Sequence, residues 1–198
     1  SNLDYINPAD DGGWTPLHEA AAKGNLKNVK AIASTLDDIN PADDDGWTPL
    51  HAAAKFGHLN IIEWYSHSEK LQNPNPGKKS YDWCNGYTPL HIAAGEGHLK
   101  IVEFLTGLLK DKNPQMISPI HLAAEKGQID VVKKYAEVLN NSNSGSNYEL
   151  DYALPHNGVT PMHDAAIHGH LDIVEFFASI FTDKNPSDDS GLTPLHVA

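Results

Sequence analysis

The sequence predicts an all-α fold in which one helix-pair unit recurs along the chain and each copy stacks on the next. Three observations predict it. Residues 7–18 read NPADDGGWTPLH and residues 40–51 read NPADDDGWTPLH, so eleven of twelve positions agree across a separation of 33 residues. The core of that phrase is Thr or Ser, then Pro, an apolar residue and His. It opens six times, at Thr15, Thr48, Thr88, Ser118, Thr160 and Thr193. Counting 25 residues on from the first five openings gives Asn40, Asn73, Asn113, Asn143 and Asn185, although the openings themselves are 30 to 42 residues apart. The body of each repeat is therefore constant, and all variation in length falls between its Asn and the next opening. Helices packed on neighbours cannot change length without disturbing both interfaces, whereas a solvent-facing loop can.

Each element of the body has a local reason. Thr, or Ser118, is a good N-cap whose hydroxyl takes an orphan amide, and Pro suits the first helical position. The next apolar residue enters the core. One turn later come paired small residues that let neighbouring helices approach: Ala20-Ala21, Ala53-Ala54, Ala93-Ala94, Ala123-Ala124 and Ala165-Ala166. Gly24, Gly57, Gly97, Gly127 and Gly169 then end the short helix, as a left-handed C-terminal position favours. A second helix follows with three apolar columns at i, i+3 and i+6. The columns are Leu26/Leu59/Leu99/Ile129/Leu171, Val29/Ile62/Val102/Val132/Val174 and Ile32/Tyr65/Leu105/Tyr135/Phe177. One such pair cannot bury its apolar face alone, so neighbours must cover it.

A period near 33 carrying T-P-L-H-x-A is the ankyrin-repeat signature, and the chain resembles that family over essentially its whole length. The resemblance implies a solenoid of stacked antiparallel helix pairs joined by β-hairpin-like loops. It divides 1–198 into the tail of a preceding repeat (1–14), repeats 15–47, 48–87, 88–117, 118–159 and 160–192, and a partial repeat 193–198. Extended hairpin loops fall at 74–87 and 144–159. Neither end reads as a polar cap, so the chain is expected to be a piece of a longer array. In the family the Asn at this position bonds across adjacent hairpin loops, and the motif His ties its loop to the neighbouring repeat. An asparaginyl hydroxylase acts on some ankyrin loops, and Asn40 and Asn113 match its pattern loosely. The chain departs from the family in one respect. The usual Gly-Ala-Asp turn is missing before the Asn, where STLDDIN, SEKLQN, LLKDKN, EVLNNSN and IFTDKN contain no Gly. The second helices are thus expected to run longer or to end in tighter turns.

Composition narrows the function. The 14 Lys and Arg stand against 26 Asp and Glu, a net charge of −12 that disfavours phosphate backbones and suits a basic partner or a well-solvated surface. The single Cys84 leaves neither a disulfide framework nor a thiolate zinc site. No membrane span or secretory leader is read, so an intracellular, cytoplasmic and monomeric protein is expected. Of the twelve His, six belong to the motif, and His58, His98 and His170 open second helices in Gly-His-Leu; His67, His156 and His168 remain. The densest group is His163, His168 and His170, but two of these have repeat roles, so no metal site is assigned. No nucleophile, phosphate loop or carboxylate pair suggests catalysis, cofactor binding or a small-molecule substrate. Gly95-Glu96-Gly97 lacks the strand–helix context of a dinucleotide loop.

What remains is surface. The resemblance implies a protein-binding scaffold that uses hairpin tips and first-helix edges. Trp14, Trp47 and Tyr87 precede successive motifs and are expected to form an aromatic row, with Lys55 and Phe56 beyond the Ala pair. Acidic tips run beside them at Asp10, Asp11, Asp43, Asp44 and Asp45. The same aromatics would serve to shield the stack, and the acids to solvate turns. The alternative reading is a regulatory or targeting segment of a larger enzyme or channel.

Overall fold

The computed structural model describes residues 7–71, 86–108, 119–142 and 157–198, and among these residues the chain forms eleven α-helices and no β-strand. The first helices are α1 (Pro16–Ala22), α3 (Pro49–Lys55), α5 (Pro89–Gly95), α7 (Pro119–Glu125) and α9 (Pro161–Ile167). The second helices are α2 (Leu26–Ala33), α4 (Leu59–Ser66), α6 (Leu99–Leu108), α8 (Ile129–Ser142) and α10 (Leu171–Ile180), and α11 (Pro194–Val197) follows the last motif.

Each first helix starts at a proline, and at the first motif that proline stands behind an extended threonine. Thr15 has φ −112° and ψ 163°, its hydroxyl takes the His18 amide, and the His18 imidazole returns to the Thr15 amide. The imidazole does here what Glu or Gln does in an ordinary capping box. The Thr15 N–H donates to His18 Nδ1 at 3.1 Å, with the Thr15 hydroxyl 2.9 Å from the same atom. The arrangement repeats at Thr48, Thr160 and Thr193. Because Nδ1 is the acceptor, Nε2 carries the proton. It donates to the carbonyl ahead of the next motif: His18 to Trp47 at 3.1 Å, His51 to Tyr87 at 3.0 Å and His163 to Leu192 at 3.1 Å. His121 departs from this pattern, placing Nδ1 2.6 Å from an Asp164 carboxylate oxygen on α9.

The repeat asparagine acts on the helix that follows it. Asn40 Oδ1 accepts the Leu50 amide in the first turn of α3 at 3.1 Å, and Asn7 and Asn185 do the same for Leu17 and Leu195. The side chain thus satisfies an orphan amide of the following first helix. Asn73, Asn113 and Asn143 lie outside the described residues.

Gly24 follows α1 with φ +71°, and a Cβ there would lie 2.7 Å from the His58 ring. That ring is close for a reason. His58 Nε2 donates to the Ala22 carbonyl at 2.9 Å, and His170 Nε2 to the Glu125 carbonyl at 3.0 Å, capping the C-terminal ends of α1 and α7. The Gly-His-Leu histidine therefore needs glycine in the repeat before it.

The chain packs as two compact units, residues 1–93 and 94–198. In the first, α1 lies against α2 and α3, α3 against α4, and α2 against α4. In the second, α7 lies against α8 and α9, α9 against α10 and α11, and α8 against α6 and α10. The small residues meet the expectation: Ala21, Ala53, Ala54, Ala93, Ala94, Ala123, Ala124 and Ala165 are fully buried.

The columns of the second helix need correction. Val29, Ile62, Val102 and Val132 are buried as expected, and so are Tyr65, Leu105, Tyr135 and Phe177. The first column is not. Leu26, Leu59, Leu99 and Ile129 are half-buried, and Leu171 is 66% exposed. Ile61, Ile101, Val131 and Ile173 are buried instead, one residue before the middle column. Each first-column residue is the first residue of its helix, at the end of the element, whereas the buried one two positions on lies within the helix. Val174 and Ile32 are half-buried for want of full cover. The longer second helix is found at α8, with 14 residues, but α2 and α4 have eight each.

Candidate functional site: an aromatic groove in the first unit

The groove is built from the hairpin tips. Around the first tip, Asp10 N–H donates to the Trp14 carbonyl at 2.9 Å and Gly13 N–H to the Asp10 carbonyl at 3.0 Å. The second tip repeats this, with Asp43 N–H to Trp47 carbonyl at 2.8 Å and Gly46 N–H to Asp43 carbonyl at 3.0 Å. The two tips touch where the Asp44 amide donates to the Gly12 carbonyl at 3.0 Å. Gly13, with φ +83°, permits this approach, since a Cβ there would meet Asp43 Cα at 2.9 Å.

The acids divide into two kinds. Asp10 Oδ1 accepts the Gly12 and Trp14 amides at 3.0 and 2.8 Å, and Asp43 Oδ1 accepts the Trp47 amide at 2.7 Å. Asp188 repeats the device on the amides of Ser190 and Leu192. These first acids therefore shape the turn and set the residue that leaves it. Asp11, Asp44 and Asp45 are exposed.

Trp14 and Trp47 are both half-buried. The Trp14 ring stacks on His18 with centroids 4.7 Å apart, and its Nε1 donates to Glu19 at 3.4 Å. Glu19 in turn pairs with Lys23, four residues on and just past the end of α1, at 2.8 Å. The bonds from Lys23 and Trp14 hold the Glu19 carboxyl below its ordinary value. Trp47 meets His51 edge-on at 5.7 Å. The Lys55 ammonium lies 5.4 Å from the Trp47 ring centroid and 5.8 Å from that of Phe56, which is 53% exposed. Burial pushes the His18 imidazole below its ordinary pKa, keeping it neutral beneath Trp14.

A groove of about 550 Å³ opens between these side chains, lined by Trp14, Trp47, Lys55, Phe56, Asp43 and Asp45 of the expected set. Glu19 and Lys23 line it as well. Their i, i+4 spacing was the one available sign of that pair. Asp10, Asp11 and Asp44 sit on the tips without lining the groove.

Tyr87 is a correction. It is only 8% exposed, lies flat on His91 with ring centroids 5.5 Å apart, and gives its carbonyl to His51. The position before the motif carries an aromatic ring in all three repeats. At Tyr87 the ring is covered, whereas Trp14 and Trp47 are half-buried.

The histidine cluster is occupied by architecture. His163 bonds to Thr160 and Leu192, His170 to Glu125, and His168 Nδ1 lies 2.9 Å from the Asp164 carbonyl. No group of three or more potential metal ligands occurs among the described residues. No helix among them is long and apolar enough to cross a membrane. Cys84, His156 and most of the two extended loops fall outside the described residues.

Among known families, the profile described as ankyrin repeats (3 copies) matches residues 2–75, 38–117, 66–142 and 120–198, spanning nearly every residue of the chain. No curated protein matches it.

Proposed function

The chain belongs to the ankyrin-repeat family, whose repeats are generally protein–protein interaction modules, and from that premise we propose that it is a non-catalytic scaffold that docks a basic partner protein or peptide in the groove of its first unit. The single observation that carries this reading is the pair of half-buried tryptophans in that groove, beside Phe56 and the carboxylates of Asp43 and Asp45. A tryptophan that is anchored on one face and open on the other supplies contact area at little entropic cost, which is why such rings dominate interface energetics. The net charge of −12 supports a basic partner by drawing it in over distances set by the Debye length.

The test starts from affinity capture out of the source lysate, followed by titration of the captured protein. Trp47→Ala is expected to weaken binding by about tenfold or more, with the helical circular dichroism unchanged. Unchanged affinity in a folded Trp47→Ala protein would remove the groove as the docking surface.

A further inference from the structure

The hairpin tip ahead of Thr160 carries an Asn-Gly step at Asn157 and Gly158. Gly158 has φ +67°, and a Cβ there would stand 2.7 Å from Asp189 Oδ1 and 3.0 Å from the Asp189 amide nitrogen. The tip therefore requires glycine after Asn157, and glycine leaves its own peptide nitrogen without a side chain to shield it. That nitrogen is also unoccupied. Gly13, Gly46 and Gly191 hold the same place in their tips, and each donates its amide three residues back, to Asp10, Asp43 and Asp188, at 3.0 Å. The Gly158 amide makes no such bond among the described residues.

Asn157 is exposed, and its side chain is turned towards that nitrogen. Asn157 Oδ1 accepts the Val159 amide at 3.2 Å, which folds the carboxamide forward along the Gly158 peptide. Accepting this bond also draws electron density away from Cγ. The Asn157 carbonyl accepts the Asp189 amide at 3.0 Å, tying the backbone of this tip to the next one within the second unit. An exposed electrophile and an unoccupied nucleophile are thus adjacent and restrained, and restraint of that kind is what accelerates a ring closure.

We propose that Asn157 is a site of self-modification, at which the Gly158 nitrogen attacks the Asn157 carboxamide in the folded chain. The nitrogen gives its proton to solvent base and forms a bond to Cγ. The tetrahedral carbon then breaks its bond to Nδ2, which leaves with a proton as ammonia and closes a five-membered imide. Water opens that ring at either of its carbonyls. Breaking the new Cγ–N bond gives aspartate with the main chain unchanged. Breaking the original peptide bond gives isoaspartate, whose main chain runs through Cγ. The net change consumes asparagine and water and releases ammonia, with nothing oxidised or reduced.

The two products treat the tip differently. Aspartate fits this place, since Asp45 precedes Gly46 in the second tip, where Gly46 has the same positive φ. Isoaspartate adds a carbon to the main chain at the residue whose carbonyl holds the Asp189 amide, and that bond loses its present geometry. Either product places a new carboxylate beside Asp188 and Asp189, whose atoms already lie against Gly158. The reaction therefore runs one way and leaves the contact between these two tips weaker. It involves the second unit alone and is independent of the docking reading.

The test incubates the full chain in oxygen-18 water at mildly alkaline pH, beside a sample unfolded in guanidinium chloride. Digestion and electron-transfer fragmentation locate the label and separate aspartate from isoaspartate. The folded chain is expected to gain solvent oxygen at position 157 no more slowly than the unfolded one, with both products present and a rate that rises with pH. Asn157→Ser is expected to remove that gain. The last tip carries Ser190 before Gly191, so the variant suits the same turn, and circular dichroism checks its fold. Slower labelling in the folded chain than in the unfolded one would overturn the proposal, because the fold would then protect Asn157. Aspartate without isoaspartate would mean that water attacks the carboxamide directly and that Gly158 is no nucleophile. A gain in the same peptide that survives Asn157→Ser would assign the chemistry to another residue.

Discussion

His18 has its imidazole shut between Thr15 and the Trp47 carbonyl, with Nδ1 accepting and Nε2 donating. Protonation would turn the acceptor into a donor facing the Thr15 amide, and burial opposes the charge, so the native pKa lies below the ordinary 6.5. Between the lowered native pKa and 6.5 the unfolded chain binds more protons than the native one, so stability rises with pH across that window. Stability from this group is complete above pH 6.5 and is lost as the pH falls towards the native pKa. Urea unfolding at stepped pH is expected to show a midpoint that drops below pH 6.5, with a shallower drop in His18→Gln. Gly24 gives a second expectation at this scale. Its φ of +71°, and a His58 ring 2.7 Å from where a Cβ would stand, oppose any side chain. Gly24→Ala should cost about 1–3 kcal/mol in chemical denaturation.

Between elements, the bonds that matter join one repeat to the next. Tyr65 on α4 is fully buried and donates its hydroxyl to the Ile39 carbonyl at 2.8 Å, fastening the segment after α2 to the following second helix. Burial pushes the phenol well above its ordinary pKa, so it remains a donor throughout the physiological range. Tyr65→Phe keeps the ring and strands a buried carbonyl, for an expected loss of about 1–3 kcal/mol measured by urea unfolding. The hairpin tips sort their acids by the same logic. Asp43 organises the turn ahead of Trp47, while Asp44 and Asp45 face solvent.

At the scale of the whole molecule, the docking reading proposed above makes charge the means by which a basic partner is met. With −12 at neutral pH, long-range attraction should set the rate at which a basic partner arrives, and salt should slow it. Replacing Asp44 and Asp45 together with Asn is expected to flatten the salt dependence of the association rate. The unfolding free energy should stay within about 0.5 kcal/mol of the parent's, because neither carboxylate holds a turn. A stopped-flow titration across ionic strength reads the first effect. An unchanged salt slope would place the attractive field elsewhere on the molecule.

The repeat, the helix starts and the ends of the first helices were legible in the amino-acid order alone. Thr-Pro, the Ala pair and Gly act through contacts within a few residues, and such contacts depend on little beyond the local chain. The place of Trp14 and Trp47 at the turn was legible too, because the residue before each motif closes the hairpin tip ahead of the helix start. Which of those rings stayed open was a matter for the folded chain. Tyr87 occupies the same local position as Trp47, yet it is covered, and burial depends on what surrounds a ring in space. The same holds for Leu171, apolar in its column and exposed in the fold, and for Ile61, outside the columns and fully buried. Local pattern places a residue on a helix, but the arc that neighbouring helices cover is set by their packing. The approach of Lys55 to the Trp47 ring likewise arises only in three dimensions, since the two residues stand at opposite ends of α3 in the chain.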